Sequence, residues 1–194
     1  MPTSLKIEKQ RFHFADGWFV FRYDETNFYQ KKVKSLQRVI DGIPHGTKAV
    51  DVVGLHQHSS RDLLLLEAKD FRGYRIENQR RIDSGEVATE VAMKVRDTVA
   101  SLVGAARHAI SEFPAGEVVQ AMEKGKISVV LWIEDDTFQD EARTKVKLDA
   151  LNKMLKRTLA WLHVRTFVLS SKVPYRLPGL NVVNLAGAGQ KDKT

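Results

Sequence analysis

The chain reads as alternating stretches of two periodicities. In "RFHFADGWFVFRYD" (11–24), aromatic and polar residues alternate around Asp16-Gly17, which predicts a β-hairpin over 10–23. "DETNFYQKKVKSLQRVI" (24–40) carries Phe28, Val33, Leu36, Val39 and Ile40 at helical spacing. It predicts a helix that "DGIPHG" ends, because Gly and Pro both stop helices. Two apolar runs follow, "KAVDVVGLH" and "DLLLLEAKD", separated by "QHSSR". They predict a second hairpin over 48–70 with a polar tip.

Val91, Val95, Val99, Leu102, Ala106 and Ile110 then recur at helical spacing and predict a helix from about Glu86 to Ile110. "KISVVLWIED" has the unbroken apolar core of a buried strand. "DEARTKVKLDALNKMLKRTLAWL" aligns Leu148, Leu151, Leu155, Leu159 and Leu162 along one side of a third helix, and "VRTFVLSS" reads as a last strand. Strands separated by helices pair through crossovers, so the order predicts a mixed α/β sheet flanked by helices. No repeat or linker divides the chain, which predicts a single domain over 1–186 and a flexible tail over 187–194.

Parity within the second hairpin assembles a candidate site. Side chains alternate across a strand, so Glu67 and Lys69 share a face with Leu63 and Leu65. A turn centred on Ser59 makes the positions of each cross-strand pair sum to 118. Asp51 then lies opposite Glu67. Opposed carboxylates repel unless a positive charge offsets them, and a divalent cation does this well. A lysine beside such a cation can orient a water or stabilise charge developing on a phosphate.

Asp51, a gap of fifteen residues and then Glu67-Ala68-Lys69 resemble the signature of the PD-(D/E)xK nuclease superfamily, the restriction-endonuclease-like fold. The similar part runs from about Glu25 to Ile110. Val50 stands where the name-giving proline would be, and the short strand usual before the Asp-bearing strand is not evident in "DGIPHGTK". The upstream hairpin is its replacement in this reading. The resemblance implies catalysis by Asp51, Glu67 and Lys69, with Mg2+ (replaceable by Mn2+) held by Asp51, Glu67 and the Ala68 carbonyl. An extra acid on the first helix falls to Glu25, with Asp24 as rival. The implied activity is phosphodiester hydrolysis by a DNA endonuclease of restriction, repair or anti-phage defence, DNA being favoured over RNA. No separate recognition domain is visible, so the expectation is either structure-directed cleavage or a protein partner that supplies specificity, with a homodimer as a further expected assembly. The alternative on the same fold is a non-catalytic nucleic-acid-binding or scaffolding module.

Composition narrows the rest. The 194 residues contain no cysteine, which excludes disulfides and thiolate metal sites. No apolar stretch approaches a membrane span and the N-terminus lacks a signal-peptide core, so cytoplasmic residence without a membrane partner is expected. The net charge of +7 favours a polyanionic partner. Its densest stretch, "KDFRGYRIENQRR", begins at Lys69. Arg72, Arg75, Arg80 and Arg81 are candidates for phosphate contacts, and Phe71 or Tyr74 for base stacking. Lys94 either reaches the site from its helix or pairs with Glu90 four residues before it. The basic face of "KLDALNKMLKR" reads as solvated. His56 and His58 read as hairpin-tip residues, and the scattered His13, His45, His108 and His163 form no triad.

Overall fold

The computed structural model describes residues 2–34, 38–40, 43–57, 62–73, 75–175 and 177–185. Leu36, the hairpin tip with His58 and Ser59, Tyr74, and the tail over 187–194 lie outside the described residues. So does the side chain of Arg75.

A five-stranded mixed sheet forms the centre, in the order β3 (Trp18–Arg22), β6 (Val52–His56), β7 (Leu63–Asp70), β8 (Ile127–Glu134) and β9 (Arg165–Leu169). The first two pairings are antiparallel and the last two parallel. Parallel neighbours need crossovers. Helices α1 (Arg75–Asp83), α2 (Glu86–Arg107) and α3 (Ala115–Lys124) make the first, and α4 (Glu141–Thr158) makes the second. Asp140 caps α4, its carboxylate accepting from the Arg143 N–H at 2.8 Å.

Alternation sorts β7 between two cores. Leu63 and Leu65 face the helices with Val91, Val95, Leu148, Leu151 and Leu155. Leu64, Leu66 and Ala68 face a second, antiparallel sheet of β1 (Thr3–Ile7), β2 (Gln10–Phe14) and β10 (Leu180–Asn184). That sheet contributes Phe12, Phe14 and Leu180 to a core around Trp132. The molecule is thus layered as helices, mixed sheet and small sheet. Buried on both faces, β7 reads as a continuous apolar run. Among the described residues no helix is long and apolar enough to cross a membrane.

The second hairpin has the expected register. Val52 pairs with Leu66 and Leu55 with Leu63, so each pair sums to 118. The helices at Glu86–Arg107 and Glu141–Thr158 and the strands at Ile127–Glu134 and Arg165–Leu169 also agree with the sequence pattern.

The N-terminal third differs. A turn does form at Gly17, where φ is 91°, yet β2 pairs with β1 and β10 while β3 pairs with β6. The expected hairpin over 10–23 is instead a crossing between sheets, and the N-terminal hairpin is β1–β2. Alternation fixes which face of a strand is apolar but not which partner it takes. The helix expected over 24–40 is reduced to a 3-10 turn at Tyr23–Glu25 and a wide helical turn at Tyr29–Val33. β4 (Arg38–Ile40) then pairs with β5 (Ile43–His45). β-branched Val39, Ile40 and Ile43 around Asp41-Gly42 suit a hairpin better than a helix. β3 lies beside the Asp51-bearing segment, where the missing short strand was to be replaced from upstream.

Candidate active site

β7 is longer than its partner, and the site forms where it runs past the end of β6. Asp51 immediately precedes β6 and lies opposite Glu67 by continuation of the register. Beyond the last pair, side chains replace main-chain partners on the edge of β7. The Ala68 N–H donates to Asp51 Oδ2 at 2.8 Å, and the Asp70 N–H donates to Glu8 Oε2 at 2.6 Å. In extended backbone a residue's N–H and C=O point to the same side, so the Ala68 carbonyl faces the gap beside Asp51.

Glu67 leaves the strand on the face of Leu63 and Leu65, toward the helical layer, and is 1% exposed. Its Oε1 receives two ammonium groups, Lys94 Nζ of α2 at 2.6 Å and Lys69 Nζ at 3.0 Å. Its Oε2 is buried and has no hydrogen-bond partner. Lys69 also donates to Glu90 Oε1 of α2 at 2.9 Å. Glu90 Oε2 accepts from Arg81 Nη2 at 2.6 Å, and Arg81 Nε donates to Glu86 Oε1 at 2.7 Å. Glu86, Glu90 and Lys94 lie at successive i,i+4 positions on α2, which presents one charged line to the end of β7.

Burial and the neighbouring Glu67 push the Asp51 carboxyl up to about 7, against the Ala68 N–H and Lys94. Asp24 adds to this from the adjacent turn. Burial opposes the charge of Lys69, but Glu67 and Glu90 outweigh it and hold the ammonium above the ordinary lysine range. Burial also opposes ionisation of Glu90, which Lys69, Lys94 and Arg81 nevertheless hold low. At neutral pH Lys69 is therefore a proton-bearing cation, and Asp51 is the group poised to exchange a proton.

Among the described residues, no group of three or more His, Asp or Glu is arranged to enclose a metal ion. The oxygen donors of Asp51, Glu67 and the Ala68 carbonyl are of the type a hard cation that keeps several waters prefers. The orphaned Glu67 Oε2 is the oxygen such an ion would satisfy, and its charge would lower the proton affinity that burial and Glu67 give Asp51.

The remaining candidates separate. Glu25 is exposed and pairs with Arg22 at 3.2 Å, whereas the charge of Asp24 bears on Asp51. Arg72 is clamped by both oxygens of Asp70, at 2.8 and 2.7 Å. Arg81 is held by Glu86 and Glu90 and lies 5.7 Å from the ring centre of buried Phe71. Arg80 is exposed on the rim. Lys94 reaches the site, the first of its two readings. His56 ends β6 against Trp18, its ring 5.1 Å away and edge-on.

Sequence reasoning missed Glu8 and the role of Glu90. Glu8 sits in the β1–β2 turn with φ of 51°, where no glycine marks the bend. Glu90 was visible only as a partner for Lys94. The sequence pattern carried no sign of α1, which has just two apolar residues, Ile76 and Ile82.

No family model matches the chain, and no solved structure matches it. It is similar to a cysteine–tRNA ligase of Neisseria meningitidis, with 27% identity over 150 residues that cover 68% of this chain. The chain spans about a fifth of the relative's length, 21%.

Proposed function

We propose that the protein is a magnesium-dependent phosphodiesterase acting on nucleic acid, built on a restriction-endonuclease-like core. The observation that carries this reading is the half-satisfied Glu67, a fully buried carboxylate with two cations on one oxygen and nothing on the other. An unmet buried charge is costly, and a cation bound at the free oxygen would offset that cost. The strand order supports the same reading, with an Asp-bearing strand antiparallel to a Glu-x-Lys strand that is parallel to the next.

A bound magnesium would neutralise the opposed carboxylates and supply an activated water. Asp51, Glu67 and the Ala68 carbonyl would hold it. Lys69, fixed between Glu67 and Glu90, keeps its proton and stabilises charge developing on the phosphate oxygens. Glu90 positions Lys69, and Arg81 positions Glu90. Hydrolysis adds the water oxygen to phosphorus, breaks the bond to one ribose oxygen and returns a proton to that leaving group.

One observation favours a second reading, a binding or scaffolding module. The chain Lys94–Glu67–Lys69–Glu90–Arg81–Glu86 closes its charges within the protein. Incubation with linear, supercoiled and single-stranded DNA and with RNA, with and without Mg2+ or Mn2+, separates the two. The similarity to a tRNA ligase puts tRNA in that panel. Cleavage that requires the cation supports the enzyme, whereas binding without cleavage of any substrate supports the module.

A further inference from the structure

At the opposite end of the parallel strands lies a second concave surface. A cavity of about 680 Å3 opens where β8 and β9 begin and α4 ends. Lys126 enters from the start of β8, Arg165 from the start of β9, Lys156 from the last turn of α4, and His163 from the turn after it. Buried Ile127 and Leu159 form the floor. Among the described residues no carboxylate lines it. The nearby Asp62 instead accepts the Lys126 backbone N–H at 3.2 Å. On the short 3-10 turn between two lining segments, the Trp161 side chain is 57% exposed.

Basic residues at a helix C-terminus offset its dipole, which accounts for Lys156 and its neighbour Arg157. It does not account for Lys126 and Arg165, which sit at strand starts, nor for an exposed indole. Cations from three segments share one lining, with Asp62 nearby, and an anion would relieve their mutual repulsion. The volume lies within the range of small-ligand sites.

We infer that this pocket binds a nucleotide, with its phosphate between Lys126, Lys156 and Arg165 and its base against Trp161. Charge for the backbone and an aromatic face for a base are the two elements of single-strand recognition. Ile127 is level with Leu63 on β7, four residues before Glu67, so the pocket lies on the order of 13 Å or more along the strand from the carboxylate pair. The inference does not rest on cleavage. The nucleotide is either part of a single strand or free, and the test distinguishes these sources.

The measurement is anisotropy of a fluorescein-labelled ten-nucleotide oligo(dT) on the full chain in EDTA, where metal-dependent cutting is silent. Lys126→Gln/Arg165→Gln should weaken binding by roughly tenfold or more, and lower the slope of log affinity against log salt by about 0.7 per lost contact. Trp161→Ala should weaken binding by roughly tenfold and Trp161→Phe should restore most of it. If the double variant does not fold by circular dichroism, Lys156→Gln on the exposed end of α4 reads the same contact singly. Competition by dTMP near the oligonucleotide's affinity identifies a free-nucleotide site, and failure of dTMP to compete identifies a strand site. Unchanged affinity and salt slope in the folded charge variants, together with unchanged affinity in Trp161→Ala, overturns the inference.

Discussion

Two glutamates on neighbouring strands, Glu67 of β7 and Glu134 of β8, are each 1% exposed and yet have their oxygens satisfied in opposite ways. Glu134 faces the small sheet, where neutral donors satisfy both oxygens. Oε1 accepts from Trp132 Nε1 at 3.0 Å and the Ser171 N–H at 2.9 Å. Oε2 accepts from Ser171 Oγ at 3.0 Å and Ser170 Oγ at 3.3 Å. Glu67 faces the helices, and two ammonium groups crowd one oxygen while the other has no partner. A closed ring of dipoles ties a chain segment in place. On the proposed reading, the open oxygen of Glu67 among its cations is where a metal ion would bind. Burial alone does not mark such a carboxylate; the two ammonium groups on its other oxygen set Glu67 apart from Glu134.

The largest expected effect breaks this contrast directly. Glu67→Gln and Asp51→Asn should each lower cation-dependent cleavage by about 10³-fold or more, the order lost with an essential catalytic group. Glu134→Gln should stay within about threefold of the parent, because its carboxylate contributes no transition-state contact. Gel assays of nicking, with melting temperatures to verify folding, check both. Equal losses in Glu67→Gln and Glu134→Gln would erase the distinction.

Lys69 sharpens it. Lys69→Ala should lower kcat by about 10²-fold or more with little change in affinity, since its charge is used in the transition state. Lys69→Arg should not restore it, because the planar guanidinium does not fit between Glu67 and Glu90 as an ammonium does. Arg81→Ala, which frees Glu90, should lower kcat by a smaller factor at unchanged KM. Single-turnover kinetics separate these terms, and an equal loss in binding would make Lys69 a phosphate anchor.

Asp51 gives the comparison a pH signature. Its carboxyl is raised to about 7 from 3.8, so between those values the native state holds a proton that the unfolded chain has released. The sign follows: in EDTA, stability from this group is greatest below about pH 4 and falls as pH rises toward 7. Thermal melts across that window should show the decline, and Asp51→Asn should flatten it. Cation affinity should run the other way, rising with pH and levelling above about 7, because the ligand is the carboxylate.

The smallest effect concerns the arginines. Arg72 and Arg81 are already engaged by acids, which leaves exposed Arg80 as the phosphate contact of that group whose surroundings are described. Arg80→Ala should lower the salt slope on duplex DNA by about 0.9 in calcium-containing buffer and leave turnover at saturation intact. An unchanged slope would move the nucleic-acid surface elsewhere.

Much of the site was legible because strand parity is unforgiving. With cross-strand pairs summing to 118, Asp51 had to oppose Glu67, and both had to lie on the face of Leu63 and Leu65. The Lys94 contact was legible as one of two options, since only tertiary packing decides whether α2 turns that side chain toward Glu67 or toward Glu90. Glu8 was illegible because its carboxylate comes from a turn 62 residues away from Asp70. The N-terminal strands were visible as strands, but their distribution between two sheets depends on long-range pairing that alternation does not encode. The segment 24–40 misled because its apolar spacing fits a helix while Val39-Ile40-Asp41-Gly42-Ile43 fits a hairpin, and only the first half makes helical turns.

The most direct test of the open oxygen needs no substrate. Mn2+ titrated into the protein at pH 7.5 and followed by electron paramagnetic resonance reports whether Asp51 and Glu67 take a divalent cation. The account predicts one saturable site in the parent that is kept in Glu134→Gln and lost in both Asp51→Asn and Glu67→Gln. A site that survives Glu67→Gln unchanged, or no saturable binding in the parent, would contradict it.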